Sequence, residues 1–184
     1  MLLHPTSLPG RFGTGDLGPE ADRFLDWAAA SGFTLWQVLP LGPTGPGNSP
    51  YGCASAFAGN ALLVSPEELV LEGLLPAAAL QDAPELPGDR IDWERVIAWK
   101  EGLLRRSLEH FGVQDGPAQV DDLAAFAAAP EQAAWLADWA LFAALRARAG
   151  GAPWWSWDED LAQRRPKALA RARRELAAEV DFQV

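Results

Sequence analysis

The feature that most narrows the fold is a succession within the first 39 residues: a short apolar piece ending in Pro5, a cleanly started helix, and an apolar run. Start signals are dense at Gly18-Pro19-Glu20, where proline occupies a position that needs no amide donor and acids face the positive end of the helix dipole. Ala21, Phe24, Leu25 and Ala28 share one face, and Gly32 closes the helix. Phe33 to Leu39 is then apolar at both strand parities apart from Thr34 and Gln37, the profile of a strand covered on both faces. Short element, helix and covered strand are the opening of a parallel α/β fold.

The pattern changes after Asn60. Ala61 to Val64 reads as a short extended run, and Ser65-Pro66-Glu67-Glu68 as a strong helix start. Residues 76–92, rich in proline, alanine and acids, read as an exposed connection. Three helical patterns follow, over 93–111, over 120–148 with a break at Pro130, and from 165 or 166 to 180. No strand signal interrupts them, which implies a separate helical subdomain or an insertion between two strands.

With 184 residues, 49% of them hydrophobic, the chain can bury a core. Its 15 basic and 25 acidic residues leave a formal charge of -10, which disfavours nucleic acid and anionic membrane as partners. A single cysteine excludes an intramolecular disulfide and leans towards a cytoplasmic location. The start, MLLHPTSLPG, has no export leader, and no stretch reaches the roughly 18 apolar residues of a membrane helix, so a soluble protein is expected.

Gly42 to Asn60, GPTGPGNSPYGCASAFAGN, contains the only tyrosine and the only cysteine. Its glycines lack the lysine and Ser/Thr of a phosphate loop, and its prolines remove amide donors such a loop needs, so turn chemistry is the simpler reading. Cys53 has only His4 and His110 as candidate bases and reads as a half-buried filler. These three residues have no metal-ligand spacing, so neither metal nor cofactor is expected. Asp16 reads as a turn or cap residue, and no two acids announce the facing pair of a glycosidase, so spacing assigns no catalytic residue. Trp154, Trp155 and Trp157 read as a cluster locking a loop onto a core, with a sugar or subunit surface as the alternative. RRPKALARARR, residues 164–174, carries six positive charges and reads as a solvated helical face over a buried stripe of Leu169, Leu176, Ala177 and Val180.

Four strings carry more than spacing: LLHPTSLPG (2–10), GTGDLG (13–18), FTLWQVLPLGPTG (33–45) and SPYGCASAFAGN (49–60). In this order they resemble the amino-terminal signature of the 4-alpha-glucanotransferases, the amylomaltase or disproportionating-enzyme family, glycoside hydrolase family 77. The match is dense over the first 64 residues and diffuse beyond, through AWK (98–100) and PWWSW. The resemblance implies the amino-terminal part of a (β/α)8 barrel with a mostly helical inserted subdomain. Residues 2–5 would be strand one, 19–30 helix one and 33–39 strand two; 1–64 would belong to the barrel and 65–184 to the insertion. A typical barrel takes about 250 residues, so the barrel is expected to be incomplete within this chain.

The implied activity is transfer of an alpha-1,4-glucan segment from a maltooligosaccharide or starch donor to a glucose or glucan acceptor, by a retaining double displacement. The family's nucleophile and acid/base lie on later strands, so no acid here inherits those roles; a non-enzymatic glucan-binding or structural fragment is the alternative. Ser49 and Tyr51 match the family's SPY motif, which implies a hydrogen bond from serine to sugar and tyrosine packing on a donor-side glucose. Asn60 is implied to shape the same loop, with a plain turn residue as the alternative, and His4, at the carboxyl end of the first expected strand, to line the cleft, with a packed, hydrogen-bonded structural residue as the alternative. Asn48 and Ala61 stand where family loops often carry aspartate and proline. Pro46 and Ile97 stand where some relatives carry tyrosines linked to a secondary glucan surface, to which the resemblance therefore does not extend.

Overall fold

The computed structural model describes residues 1–111 and 117–184. They fall into two compact units, Met1–Asp115 and Gly116–Val184.

In the first unit, helix α1 (Pro19–Ala30) has the expected bounds, with Ala21 and Ala28 buried. Gly32, at φ +81°, takes the left-handed conformation that turns the chain away from the helix end. The run that follows departs from expectation. Instead of a covered strand, residues 33–39 make a single parallel bridge, Leu2 to Gln37. Two bonds define it: Leu3 N donates to Gln37 O at 3.1 Å and Gln37 N to Met1 O at 2.8 Å. Phe33, Leu35 and Val38 are exposed, Leu35 by 79%. A parallel strand is covered when it has neighbours at both edges and helices on both faces. Among the described residues only the segment at Leu2 bridges to it, so both side-chain parities lack that cover.

The other expected short strand is likewise reduced to that bridge, because the chain turns into a 3-10 turn at Pro5–Ser7 capped by His4. Ala61–Leu63, expected to be extended, is also a 3-10 turn, with the Asn60 side chain accepting from Leu62 N. Helix α2 (Pro66–Leu71) starts where its signals place it, Ser65 Oγ accepting from Glu68 N at 3.4 Å.

The stretch read as an exposed connection is partly core. Its 3-10 turn, Ala77–Leu80, buries Ala79 and Leu80 with Phe12, Leu75 and Leu103, and Trp99 packs against them. The proline and acid content around these apolar residues masked their role. Helix α3 (Trp93–His110) is capped by Asp92 and buries Val96, Lys100, Leu103 and Ser107, spaced four, three and four residues apart and so on one face. Phe12 stacks on Trp99 with ring centroids 4.9 Å apart. Residues 66–111 therefore share a unit with the first 64, and the division between compact units falls after residue 115.

The second unit contains α4 (Pro117–Ala128), α5 (Pro130–Ala133), α6 (Leu136–Arg148), α7 (Glu159–Ala162), α8 (Pro166–Glu175) and α9 (Ala177–Phe182). The chain breaks at Pro130 as expected, and again at Trp135 and Leu176, where the backbone leaves helical geometry. Leu141, Leu145, Leu161, Ala168 and Ala172 form its core, with Trp157, Leu169, Leu176 and Val180 against them. Ala177, expected in that stripe, is exposed.

The tryptophan tract divides. Trp157 packs and donates to Ala152 O at 2.9 Å, whereas Trp154 and Trp155 are exposed. The basic tract is a solvated, partnered face: Arg164 and Arg173 reach Asp138 at 2.6 and 3.1 Å, and Arg165 reaches Asp160 at 2.9 Å. Among the described residues no helix is long and apolar enough to cross a membrane.

Candidate substrate-binding loop

The segment Leu41 to Asn60 is a loop with a neck, a short stem and a tip. At the neck, Asn60 N donates to Leu41 O at 2.8 Å. In the stem, Ala54 N donates to Pro43 O at 2.9 Å and Gly45 N to Gly52 O at 3.1 Å, around an antiparallel bridge between Thr44 and Cys53. The tip is two consecutive 3-10 turns, Pro46–Asn48 and Pro50–Gly52, each opened by a proline whose ring presets φ. Gly47 and Asn48 are both left-handed, at φ +81° and +53°, a conformation that glycine adopts freely and asparagine tolerates. Thr44 Oγ1 donates to Asn48 Oδ1 at 3.5 Å, so the asparagine retains a turn contact without a charge. Cys53 is half-buried and its thiol donates to Pro50 O at 2.8 Å.

These bonds tie down the stem and leave Ser49 and Tyr51 exposed at the tip, Tyr51 by 75%. His4 and Asn60 lie instead at the neck, both buried. Asn60 Oδ1 accepts from Leu62 N at 3.0 Å. His4 Nδ1 lies 2.7 Å from Thr6 Oγ1 and accepts from Thr6 N at 3.3 Å, while Nε2 lies 3.4 Å from Pro40 O. The tautomer protonated at Nε2 satisfies all three contacts. The four sequence candidates thus separate into an exposed pair at the tip and a buried pair bonded to the backbone around the neck.

Next to the neck is a group that sequence reasoning did not assign. Asp16, expected as a turn or cap residue, caps nothing: the N-cap of α1 is Gly18, with no side-chain bond. Its carboxylate accepts instead from Lys100 Nζ at 2.8 Å. The same ammonium donates to Leu62 O at 2.7 Å and Val64 O at 3.1 Å, so all three of its protons have an acceptor. Burial pushes the Lys100 pKa below its ordinary value, opposed by the attraction of Asp16 and, less, of Glu67. The string AWK marked the neighbourhood, but no spacing rule joins residues 84 positions apart.

Elsewhere, a cavity of about 330 Å³ in the second unit is walled by Phe142, Trp154 and Trp157, with Asp138 and Arg164 bonded to each other at its edge. Among the described residues no three His, Cys, Asp or Glu side chains are grouped to hold a metal ion.

A profile of the family described as 4-alpha-glucanotransferase matches residues 3–184. The chain is 47% identical over 169 residues to the 4-alpha-glucanotransferase of Synechocystis, covering 92% of this chain and 33% of that protein. It is 44% identical over 182 residues to that of Thermus thermophilus, covering 99% and 35%. The chloroplastic/amyloplastic 4-alpha-glucanotransferase of Solanum tuberosum is 42% identical over 174 residues, with 92% and 30% covered. Among solved structures, the amylomaltase of Streptococcus agalactiae in complex with acarbose superposes with a TM-score of 0.89 at 30% identity, covering 99% of this chain and 36% of that one. The chain spans about a third of the length of the curated relatives it matches. Matched along nearly its whole length in both sequence and structure, the chain belongs to the 4-alpha-glucanotransferase family, glycoside hydrolase family 77.

Proposed function

We propose that the protein carrying this chain is a 4-alpha-glucanotransferase, moving alpha-1,4-glucan segments from a maltooligosaccharide or starch donor to a glucose or glucan acceptor, and that the Leu41–Asn60 loop contacts the donor. The observation that carries the loop's role is Tyr51, three-quarters exposed on a tip built from two proline-opened turns. An aromatic ring held outward by a bonded stem offers an apolar face to a pyranose, and Ser49, two residues before it, offers a hydroxyl to the sugar's own. In this reading His4 and Asn60 act at the neck, shaping the cleft from below the tip.

The same reading makes the Leu2–Gln37 bridge the first contact between two strands of a (β/α)8 barrel, whose site forms at the carboxyl ends of its strands. The loop follows the bridged segment directly. Residues 1–64 belong to that barrel and 65–184 to a helical insertion, whose first helices pack back on the barrel segment. A cytoplasmic location completes the reading, although the plant relatives are named chloroplastic or amyloplastic.

In the reaction, a carboxylate attacks the anomeric carbon as a carboxylic acid protonates the departing glycosidic oxygen. The acceptor's 4-hydroxyl then displaces the carboxylate and returns its proton to the conjugate base of that acid. No acid of this chain is assigned either role. Asp16, the one buried acid among the described residues, is engaged by Lys100.

The test is redistribution of maltotriose by the protein expressed from its whole reading frame. Tyr51→Ala is expected to raise the donor KM roughly five- to tenfold, the equivalent of about 1 kcal/mol of lost ring contact, with a smaller change in kcat. Unchanged kinetics with both short and long donors would reject the contact. The 184-residue chain by itself is expected to leave maltotriose unchanged.

A further inference from the structure

We infer that Lys100 is a positioning residue for the donor loop, acting through two hydrogen-bonded paths that meet at the loop's neck. The inference rests on the proposed function, since positioning matters only if the loop holds sugar.

The first path leaves Lys100 through Leu62 O, at 2.7 Å from Nζ. Leu62 N donates to Asn60 Oδ1, Leu63 N donates to Asn60 O at 2.9 Å, and Asn60 N donates to Leu41 O, closing one side of the neck. The second leaves through Asp16. The adjoining Gly15 N donates to Thr6 O at 3.2 Å, and Thr14 Oγ1 donates to the same oxygen at 3.4 Å. Thr6 holds His4, whose Nε2 reaches Pro40 O beside the neck. Leu17 N donates to Leu63 O at 3.0 Å and ties the two paths together. One ammonium thus anchors the segments that approach Pro40 and Leu41 from both sides.

The chemistry favours a role beyond stability. The segments at 13–17 and 60–65 have no strand ladder to set their register among the described residues; turns and single bonds hold them. A buried ion pair is weak evidence of net stabilisation, because desolvation offsets much of the attraction. What it supplies is a shared point of attachment: the three N–H groups of one buried ammonium are all taken, by the Asp16 carboxylate and the Leu62 and Val64 carbonyls, so the two segments are gathered around a single atom. Gly15 shows how little slack there is, since a Cβ there would meet Leu8 O at 2.7 Å.

The experiment is steady-state kinetics on maltotriose with the protein expressed from its whole reading frame, as wild type, Lys100→Met and Asp16→Asn. Asp16→Asn keeps an oxygen acceptor for the ammonium and is the variant that remains informative if Lys100→Met fails to fold. A displaced loop raises the donor KM on the order of tenfold for Lys100→Met and severalfold for Asp16→Asn, with kcat per folded enzyme changing less. KM does not depend on the folded fraction, so a purely structural role lowers Tm and yield and leaves KM where it was. A KM unchanged in every variant that folds overturns the inference while leaving the proposed function standing. A wild-type protein that does not redistribute maltotriose removes both.

Discussion

Lys100 is 1% exposed, the most buried of the charged side chains among the described residues. Burial lowers its pKa from the ordinary 10.5, so the folded state holds this proton less tightly than the unfolded chain. Between the lowered value and 10.5 the unfolded chain therefore binds more protons, and this group's contribution to stability rises with pH across that window. Thermal melts of the wild type and Lys100→Met at several alkaline pH values check the sign: the wild type's advantage is expected to grow as pH approaches 10.5. At neutral pH, removing Lys100 alone leaves the Asp16 carboxylate buried without its cation, an expected cost of about 3–5 kcal/mol. At the loop tip the balance reverses: Ser49 and Tyr51 are exposed, and little of the fold rests on them.

At the scale of elements, local rules acted where they could be satisfied locally. Pro19 and Pro66 sit in the first turns of α1 and α2, and Asp92 caps α3. Ser65 is 3% exposed and its Oγ accepts from Glu68 N, so Ser65→Ala is expected to lose about 1 kcal/mol, the usual worth of an N-cap. For a protein of this size that is a fall in Tm of about 2–4 °C by calorimetry. Extended segments behaved differently. A helix closes its hydrogen bonds within itself, but 33–39 can become a strand only if other segments come alongside, and only the Leu2 segment does so among the described residues.

At the scale of the whole molecule, the first unit leaves apolar side chains in water. Leu2 is 55% exposed, Trp27 53%, Phe33 44% and Leu35 79%, and all lie on or beside the bridged pair and α1. Large exposed patches of this kind drive association. The 184-residue chain by itself is therefore expected to show concentration-dependent association in sedimentation velocity, relieved by Leu35→Lys. Monomeric behaviour of the wild-type chain at all concentrations would contradict this.

The sequence by itself determined where the helices of the first unit start and the chemistry of the loop. Start signals, stop glycines and periodicity involve residues within one or two turns of each other, so the starts of α1, α2 and α3 and the ends of α1 and α3 could be read to within a residue or two. Prolines 46 and 50, Gly47 and Asn48 likewise specify a turn-built tip with Ser49 and Tyr51 on it, and the family strings were legible as strings. Only the tertiary structure decided that Asp16 faces Lys100, that Ala79 and Leu80 belong to a core, and that Phe33, Leu35 and Val38 are exposed. Each of those facts depends on which distant segment comes within a few ångströms, and neither propensity nor spacing encodes that distance. The neck of the loop is the plainest case: four backbone and side-chain contacts from residues 4, 41, 60 and 100 hold it, and each residue read alone is a turn, a cap or a helix face.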